Sequence, residues 1–405
     1  MNIKLFLSLL IVTISTLSFG QKIIVRGAVS DFETGEKLVS ASVYLAQTDI
    51  GSSTNLSGSF AFNAPKGQYE LVVSYVGYQQ IIQPIVFTKD TVMNIKLKPE
   101  VKNLSEVLVK PDTTNWASDF ETFKRLFIGR TDNAASTVIE NPKNLIFFFD
   151  PKDRMFFAHA KEDIIIRNDA LGYRIYYDLK QFEMNFRTGY LRYLGIPRFE
   201  KLSSKSKRKQ RKWANNRLDA YQGSFEHFID ALEKDQIEEN DFAINEIIRK
   251  PTNLDKELIR QKVMEYRRKL RNRVAQQGRI DFAGRDTLSD SLRYWQNLNR
   301  KPDYEDSVGK YLNKKAQMMD TANTICCTNI LRIIYKGEPE AMGFALQRRR
   351  QSQGDNKQTS LVHLLNRKLA IAENGYYDVN NILFEGYLEW ASNIAEMLPI
   401  NYEPD

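Results

Sequence analysis

Histidine and cysteine, the side chains that most often hold metals or attack substrates, are scarce: 405 residues contain three histidines and two cysteines. The cysteines, Cys326 and Cys327, are neighbours and could close only a strained ring, so no disulfide framework can be drawn. They read as small side chains in a buried segment, with a redox or intermolecular role as the alternative. No Gly-x-Ser-x-Gly elbow, Gly-rich phosphate loop or Cys-x-x-Cys pair occurs, so the usual nucleophile, nucleotide and thiol-redox signatures are missing. Beyond the N-terminal stretch, no run is long and apolar enough to span a bilayer as a helix, which takes about 20 residues.

The N-terminus itself has the form of a processing segment. Lys4 is followed by an apolar stretch from Leu5 to Leu17, with Ser18 and Gly20 placed for a cut before Gln21. Residues 1–20 are expected to be a signal peptide, no Cys follows the cut to take a lipid, and the mature chain is expected in the periplasm or cell envelope, outer-membrane association included. Cleavage removes one Lys and no acid, taking the formal charge from +8 to +7 over 385 residues. That length suggests two or three domains, and 42% apolar residues suffice to build their cores.

From Lys22 to Pro99 the apolar period is two. Ile23, Val25 and Val29 open a strand, Glu33-Thr34-Gly35-Glu36 turns, and Ala41, Val43 and Leu45 share a face. Asn55-Leu56-Ser57-Gly58 and Pro65-Lys66-Gly67 are further turns, with Phe60 and Phe62 between them and Tyr69, Leu71 and Val73 after. Turns at this spacing favour a small antiparallel sandwich over residues 21–99. The succession Gly27-x-Val29-x-Asp31-x-x-Thr34-Gly35-Glu36, Ala41-x-Val43-x-Leu45, Gly51, Thr54-Asn55-x-x-Gly58-x-Phe60 and Pro65-x-Gly67-x-Tyr69 resembles the carboxypeptidase-regulatory-like domain. The resemblance implies a transthyretin-like (Ig-like, Greek key) seven-strand sandwich that serves as an accessory or assembly module and is not catalytic. Leu104-Ser105-Glu106-Val107-Leu108-Val109 resembles the linker that follows this module in Bacteroidetes TonB-dependent receptors. The transmembrane barrel of those receptors is not expected, because charged helices occupy the place its strands would need.

Residues 100–115 read as a linker and 116–405 as an α+β region. Trp116, Phe120, Phe123, Leu126 and Phe127 recur at helical spacing. An antiparallel meander is expected over 144–202, with strands at Leu145–Phe149, Met155–Ala158, Ile164–Arg167, Tyr173–Leu179, Phe182–Phe186 and Tyr190–Leu194. A helical stretch over 205–276 comprises one long helix from Lys205 to about Lys234 and another from Asn253 to Gln276. A mixed C-terminal part holds strands at Leu361–Leu365 and Tyr376–Phe384 and a helix from Tyr387 to Met397 stopped by Pro399. Ala170-Leu171-Gly172-Tyr173-Arg174-Ile175, Trp213-x-x-Asn216-Arg217 and Met397-Leu398-Pro399-Ile400-Asn401-Tyr402 resemble segments of uncharacterised exported Bacteroidetes proteins that carry the same module, which implies a shared fold.

His159-Ala160-Lys161-Glu162 has the His-x-x-Glu spacing of zinc carboxypeptidases, but a zinc centre needs a third protein ligand. His227 and His363, 65 and 201 residues beyond Glu162, do not match that context. No catalytic, metal or cofactor-binding residue is therefore assigned, and a carboxypeptidase activity has no ligand set behind it. Two basic runs stand out. Lys201–Arg217 carries eight Lys or Arg without an acid, and Arg260–Arg273 carries seven against Glu265. For an exported chain their partners would be an envelope protein, an anionic polymer or a lipid surface, not nucleic acid, and the default is a solvated helix face. The leading expectation is a non-enzymatic envelope protein that binds or assembles through its sandwich; the alternative is a peptidase or glycan-acting hydrolase.

Overall fold

The computed structural model describes residues 22–100, 115–277, 287–347 and 357–404. The expected signal segment 1–20 and the motif Leu104–Val109 lie outside them. Seven strands make the first unit: β1 (Ile23–Asp31), β2 (Ser42–Leu45), β3 (Gly51–Ser53), β4 (Ser59–Ala64), β5 (Gly67–Ser74), β6 (Ile81–Phe87) and β7 (Thr91–Leu97). They pair as β4-β1-β7 and β3-β2-β5-β6, and the sheets enclose Val25, Val29, Val43, Leu45, Leu71, Val73 and Leu97. Each such burial is worth about 1.5–3 kcal/mol. One pair differs from the antiparallel expectation: β1 runs parallel to β7. A parallel pair needs a long crossover, and the intervening strands β2 to β6 supply it.

The second unit contains α1 (Trp116–Phe127), β8 (Thr137–Ile139), β9 (Leu145–Asp150), β10 (Met155–Ala160), β11 (Ile164–Asn168), β12 (Tyr173–Asn185) and β13 (Leu191–Lys201). The order is β8-β11-β12-β10-β9, with β13 also paired to β12. The aromatic stripe of α1 is its core contact, Phe123 lying 4.8 Å between ring centroids from both Phe127 and Phe182. The two expected strands Tyr173–Leu179 and Phe182–Phe186 are one strand, in which a register shift between Leu179 and Gln181 against β13 breaks the alternation.

The expected single helix from Lys205 to Lys234 is two, α2 (Lys207–Tyr221) and α3 (Phe225–Glu233). Gly223 takes φ 75°, and the Ser224 hydroxyl accepts the His227 N–H as the N-cap of α3. Phe225, Phe228 and Leu232 of α3 then pack on the third sheet. Its strands are β14 (Phe242–Pro251), β15 (Tyr304–Leu312), β17 (Ile330–Pro339), β18 (Lys357–Leu364) and β20 (Ile382–Gly386), in the order β15-β14-β17-β18-β20. A small pair, β16 (Thr324–Cys326) and β19 (Lys368–Ala370), stands apart. Helices α4 (Lys256–Gln277) and α5 (Thr287–Arg300) are an excursion between β14 and β15, while α6 (Met342–Gln347) precedes β18. Helix α7 (Tyr387–Ala391) is shorter than the expected Tyr387–Met397. Its continuation is captured elsewhere: the Ile394 and Ala395 N–H groups donate to the Phe127 and Ile128 carbonyls at the end of α1. The strand expected from Tyr376 begins only at Ile382, after a short turn in which the Asp378 side chain accepts the Asn380 N–H.

Candidate functional site

Two of the segments singled out in the sequence meet in the structure. Helix α2 lies over the turn after β11, where Trp213 Nε1 donates to the Asp169 carbonyl at 2.9 Å, Asn216 Nδ2 to Ala170 at 2.9 Å and Arg217 Nε to Leu171 at 2.7 Å. The buried Asn168 accepts the Ala170 and Leu171 N–H groups and donates to the Ala395 carbonyl. Trp213-x-x-Asn216-Arg217 is thus a backbone clamp. The remaining cations of the run, among them Lys207, Arg208, Arg211 and Lys212, are exposed.

The third segment, Met397–Tyr402, joins the first two units. At the β2–β3 turn, Gln47 N–H donates to the Pro197 carbonyl at 2.8 Å and Gln47 O accepts Ile400 N–H at 2.9 Å, while Thr48 O accepts Phe199 N–H at 3.0 Å. Asn401 Nδ2 donates to Asp49 Oδ1 at 2.6 Å, and Lys201 pairs with Asp49 at 2.7 Å. The Arg198 guanidinium covers the Tyr176 ring at 3.9 Å and the Tyr44 ring at 5.3 Å. On the other side, Asn374 Nδ2 donates to the Gln68 carbonyl of β5 at 2.8 Å, so the sandwich also touches the loop before β20.

Between these contacts lies a cleft of about 1570 Å³, walled by the sandwich, β13, α2, α3, the end of β17, α7 and the C-terminal segment. Twelve Asp or Glu residues line it, against two lysines and no arginine. Burial holds the Glu338 carboxyl above its usual range, with Asp219 adding to the rise, and burial likewise raises Glu396, beside Asp132 and Asp219. Glu70 and Glu233 are raised by the same desolvation. Asn133 Nδ2 donates to Glu396 at 2.7 Å, and the Tyr377 hydroxyl donates to Glu226 at 2.8 Å. Tyr387 is pushed up to about 12, chiefly by burial. Gln358 Oε1 and Trp390 Nε1 are buried without a hydrogen-bond partner among the described residues, and both residues belong to the wall. Sequence reasoning missed this cleft. Its acids come from β5, the turn after α1, α2, α3, the end of β17, the loop before β20 and the C-terminal segment, and no local pattern links them.

The three histidines stay apart in role. His159 is exposed on β10, opposite Ile146. His227 is buried on α3, its Nδ1 accepting Gly223 N–H at 3.1 Å and its Nε2 facing Asn240 Oδ1 at 3.3 Å. His363 on β18 lies 2.8 Å from Glu385, off hydrogen-bonding alignment. Among the described residues, no three His, Cys, Asp or Glu side chains stand close enough to hold a metal ion. Cys327 is buried in the third-sheet core, where desolvation raises its thiol, whereas the half-buried Cys326 donates to Asp320 at 3.9 Å. No described helix is long and apolar enough to cross a membrane.

The CarboxypepD_reg-like domain model matches residues 25–109. Over 92 residues the chain is 37% identical to the TonB-dependent receptor SusC of Bacteroides thetaiotaomicron, a match covering 23% of this chain and 9% of that receptor. Among solved structures, a DUF3823 family protein from Bacteroides ovatus is 12% identical over 45% of this chain and 83% of that one, with a TM-score of 0.17. Another DUF3823 protein, from Parabacteroides merdae, is 13% identical over 46% of this chain and 81% of its own, also at 0.17. At such scores the likeness carries no functional argument. Over residues 25–109, then, the N-terminal sandwich matches the carboxypeptidase-regulatory-like domain.

Proposed function

We propose that the chain is a non-enzymatic binding protein of the cell envelope, organised as signal peptide 1–20, accessory sandwich 21–99, linker 100–115 and a ligand-holding remainder 116–405. The accessory sandwich completes a cleft for a cationic ligand, such as a peptide segment bearing Lys or Arg. The observation that supports this reading is the lining: twelve carboxylate residues against two lysines, in a chain of formal charge +8. A cleft of one charge sign with low-dielectric walls concentrates the opposite charge, and the tyrosine faces around it can take a cation. Calorimetric titration with an arginine-containing peptide and with its glutamate counterpart tests it. The cationic peptide should bind, more weakly as salt rises, and Glu338→Gln with Glu396→Gln should weaken it at least about tenfold, the loss expected for one charged hydrogen-bond partner. Equal binding of both peptides, or indifference to the double variant, would overturn the reading.

A second reading rests on Glu338 and Glu396, both raised and both near Asp219. A carboxyl held above its usual range by burial is the kind of group that serves as the proton donor in hydrolysis of glycans or peptides. Turnover of a cell-wall glycan or peptide substrate by the wild type and not by Glu396→Gln would put hydrolysis first.

A further inference from the structure

The excursion between β14 and β15 is built unlike the rest of the molecule. Helices α4 and α5 pack on each other. The buried Ile259 and Val263 of α4 belong to none of the three sheet cores, and the Lys256 ammonium caps the Leu298, Asn299 and Lys301 carbonyls at the end of α5. This helical pair carries its own small core and leaves the adjoining face of α4 to solvent.

At about 100° per residue, Arg260, Met264, Arg267, Arg268, Arg271 and Val274 fall within about 120° of arc on that face. All are exposed, Met264 at 72%. Glu257 meets Arg260 at 3.6 Å, and Glu265 is committed to Lys262 and Lys269 at 3.0 and 2.6 Å. No ion-pair partner for Arg267, Arg268 or Arg271 stands among the described residues. The stripe therefore offers three free guanidinium forks around an exposed thioether and a valine.

We propose that this outer face of α4 docks on an anionic phospholipid surface. Guanidinium forks match phosphate oxygens, and the apolar residues within the same arc distinguish a surface with an acyl boundary from a soluble polyanion, which would gain nothing from Met264. The helical pair reaches that surface without disturbing the sandwich or the cleft, so docking is independent of cleft occupancy.

Co-sedimentation of the full chain with vesicles of equal parts phosphatidylglycerol and phosphatidylcholine, against phosphatidylcholine alone, tests the proposal. Wild type should bind the mixed vesicles only. Arg267→Gln, Arg268→Gln and Arg271→Gln together should lower partitioning roughly a hundredfold, and Met264→Ser should lower it severalfold without altering retention on immobilised polyphosphate. These positions are exposed, so circular dichroism and peptide binding in the cleft should be unchanged in the variants. Absence of vesicle binding, or partitioning indifferent to the triple variant, overturns the proposal. Polyphosphate binding with no effect of Met264→Ser on vesicles overturns it in favour of a soluble polyanion.

Discussion

At the residue scale, Gly172 and His227 are each tied to one geometry. Gly172 sits at φ 72° beneath Trp213, where an added Cβ would meet the indole at 2.4 Å. The indole cannot retreat, because its N–H is held by the Asp169 carbonyl. Gly172→Ala therefore combines left-handed strain with a clash, and denaturant unfolding should show a loss of at least about 2 kcal/mol. His227 accepts a backbone N–H at Nδ1, so its neutral form is the one the fold uses, and burial lowers its pKa accordingly. A base with a lowered folded-state pKa is protonated more readily in the unfolded chain. Its contribution is whole above its ordinary value of about 6.5 and is lost as pH falls from there through the lowered folded value. The raised carboxyls of the cleft act in the opposite sense, and His363, also lowered by burial, acts in the same one. Comparison of wild type with His227→Gln isolates the term: the stability gap between about pH 7.5 and about pH 5.5 should be smaller in the variant.

At the element scale, local chemistry explains both what was legible and what was not. The α1 stripe and the sandwich strands were legible because a buried face imposes its period on the sequence, as in the alternately buried Phe60, Phe62 and Ala64 of β4. The division of α2 from α3 has a local signal, Gly223-Ser224 ahead of an amphipathic run. Ser224→Ala should cost about 1 kcal/mol by removing the cap, read as a lower midpoint in urea. The short α7 had no such signal. Apolar residues at helical spacing continue past Ala391, at Ile394 and Ala395, but the N–H groups of these two serve the end of α1 instead. The β12 bulge erased its own pattern, since one extra residue reverses which side chains face the core.

At the scale of the whole molecule, the joint around Gln47 determines whether a cleft exists. Strand β13 and the C-terminal segment both hydrogen-bond to one turn of the sandwich, and Asn374 reaches β5 from the loop before β20. A chain ending at Pro399 loses the Ile400 and Asn401 contacts. Hydrogen exchange should then quicken at the Gln47 and Phe199 amides while Val43 and Val73, inside the sandwich, keep their protection. Unchanged exchange at Gln47 would mean that the C-terminal segment does not hold the joint.

Period, turn chemistry and composition are properties of neighbouring residues, and they suffice to specify the sandwich, the aromatic helix and the charge of the long helices. The third sheet was decided only in three dimensions, since β14 finds β15 across the whole α4–α5 excursion and β17 across a longer interval still. So was the cleft. Its carboxylates are unremarkable one by one along the chain, and become a site because three sheets and a C-terminal segment bring them into a shared space where burial, with neighbouring acids adding to it, raises Glu70, Glu233, Glu338 and Glu396.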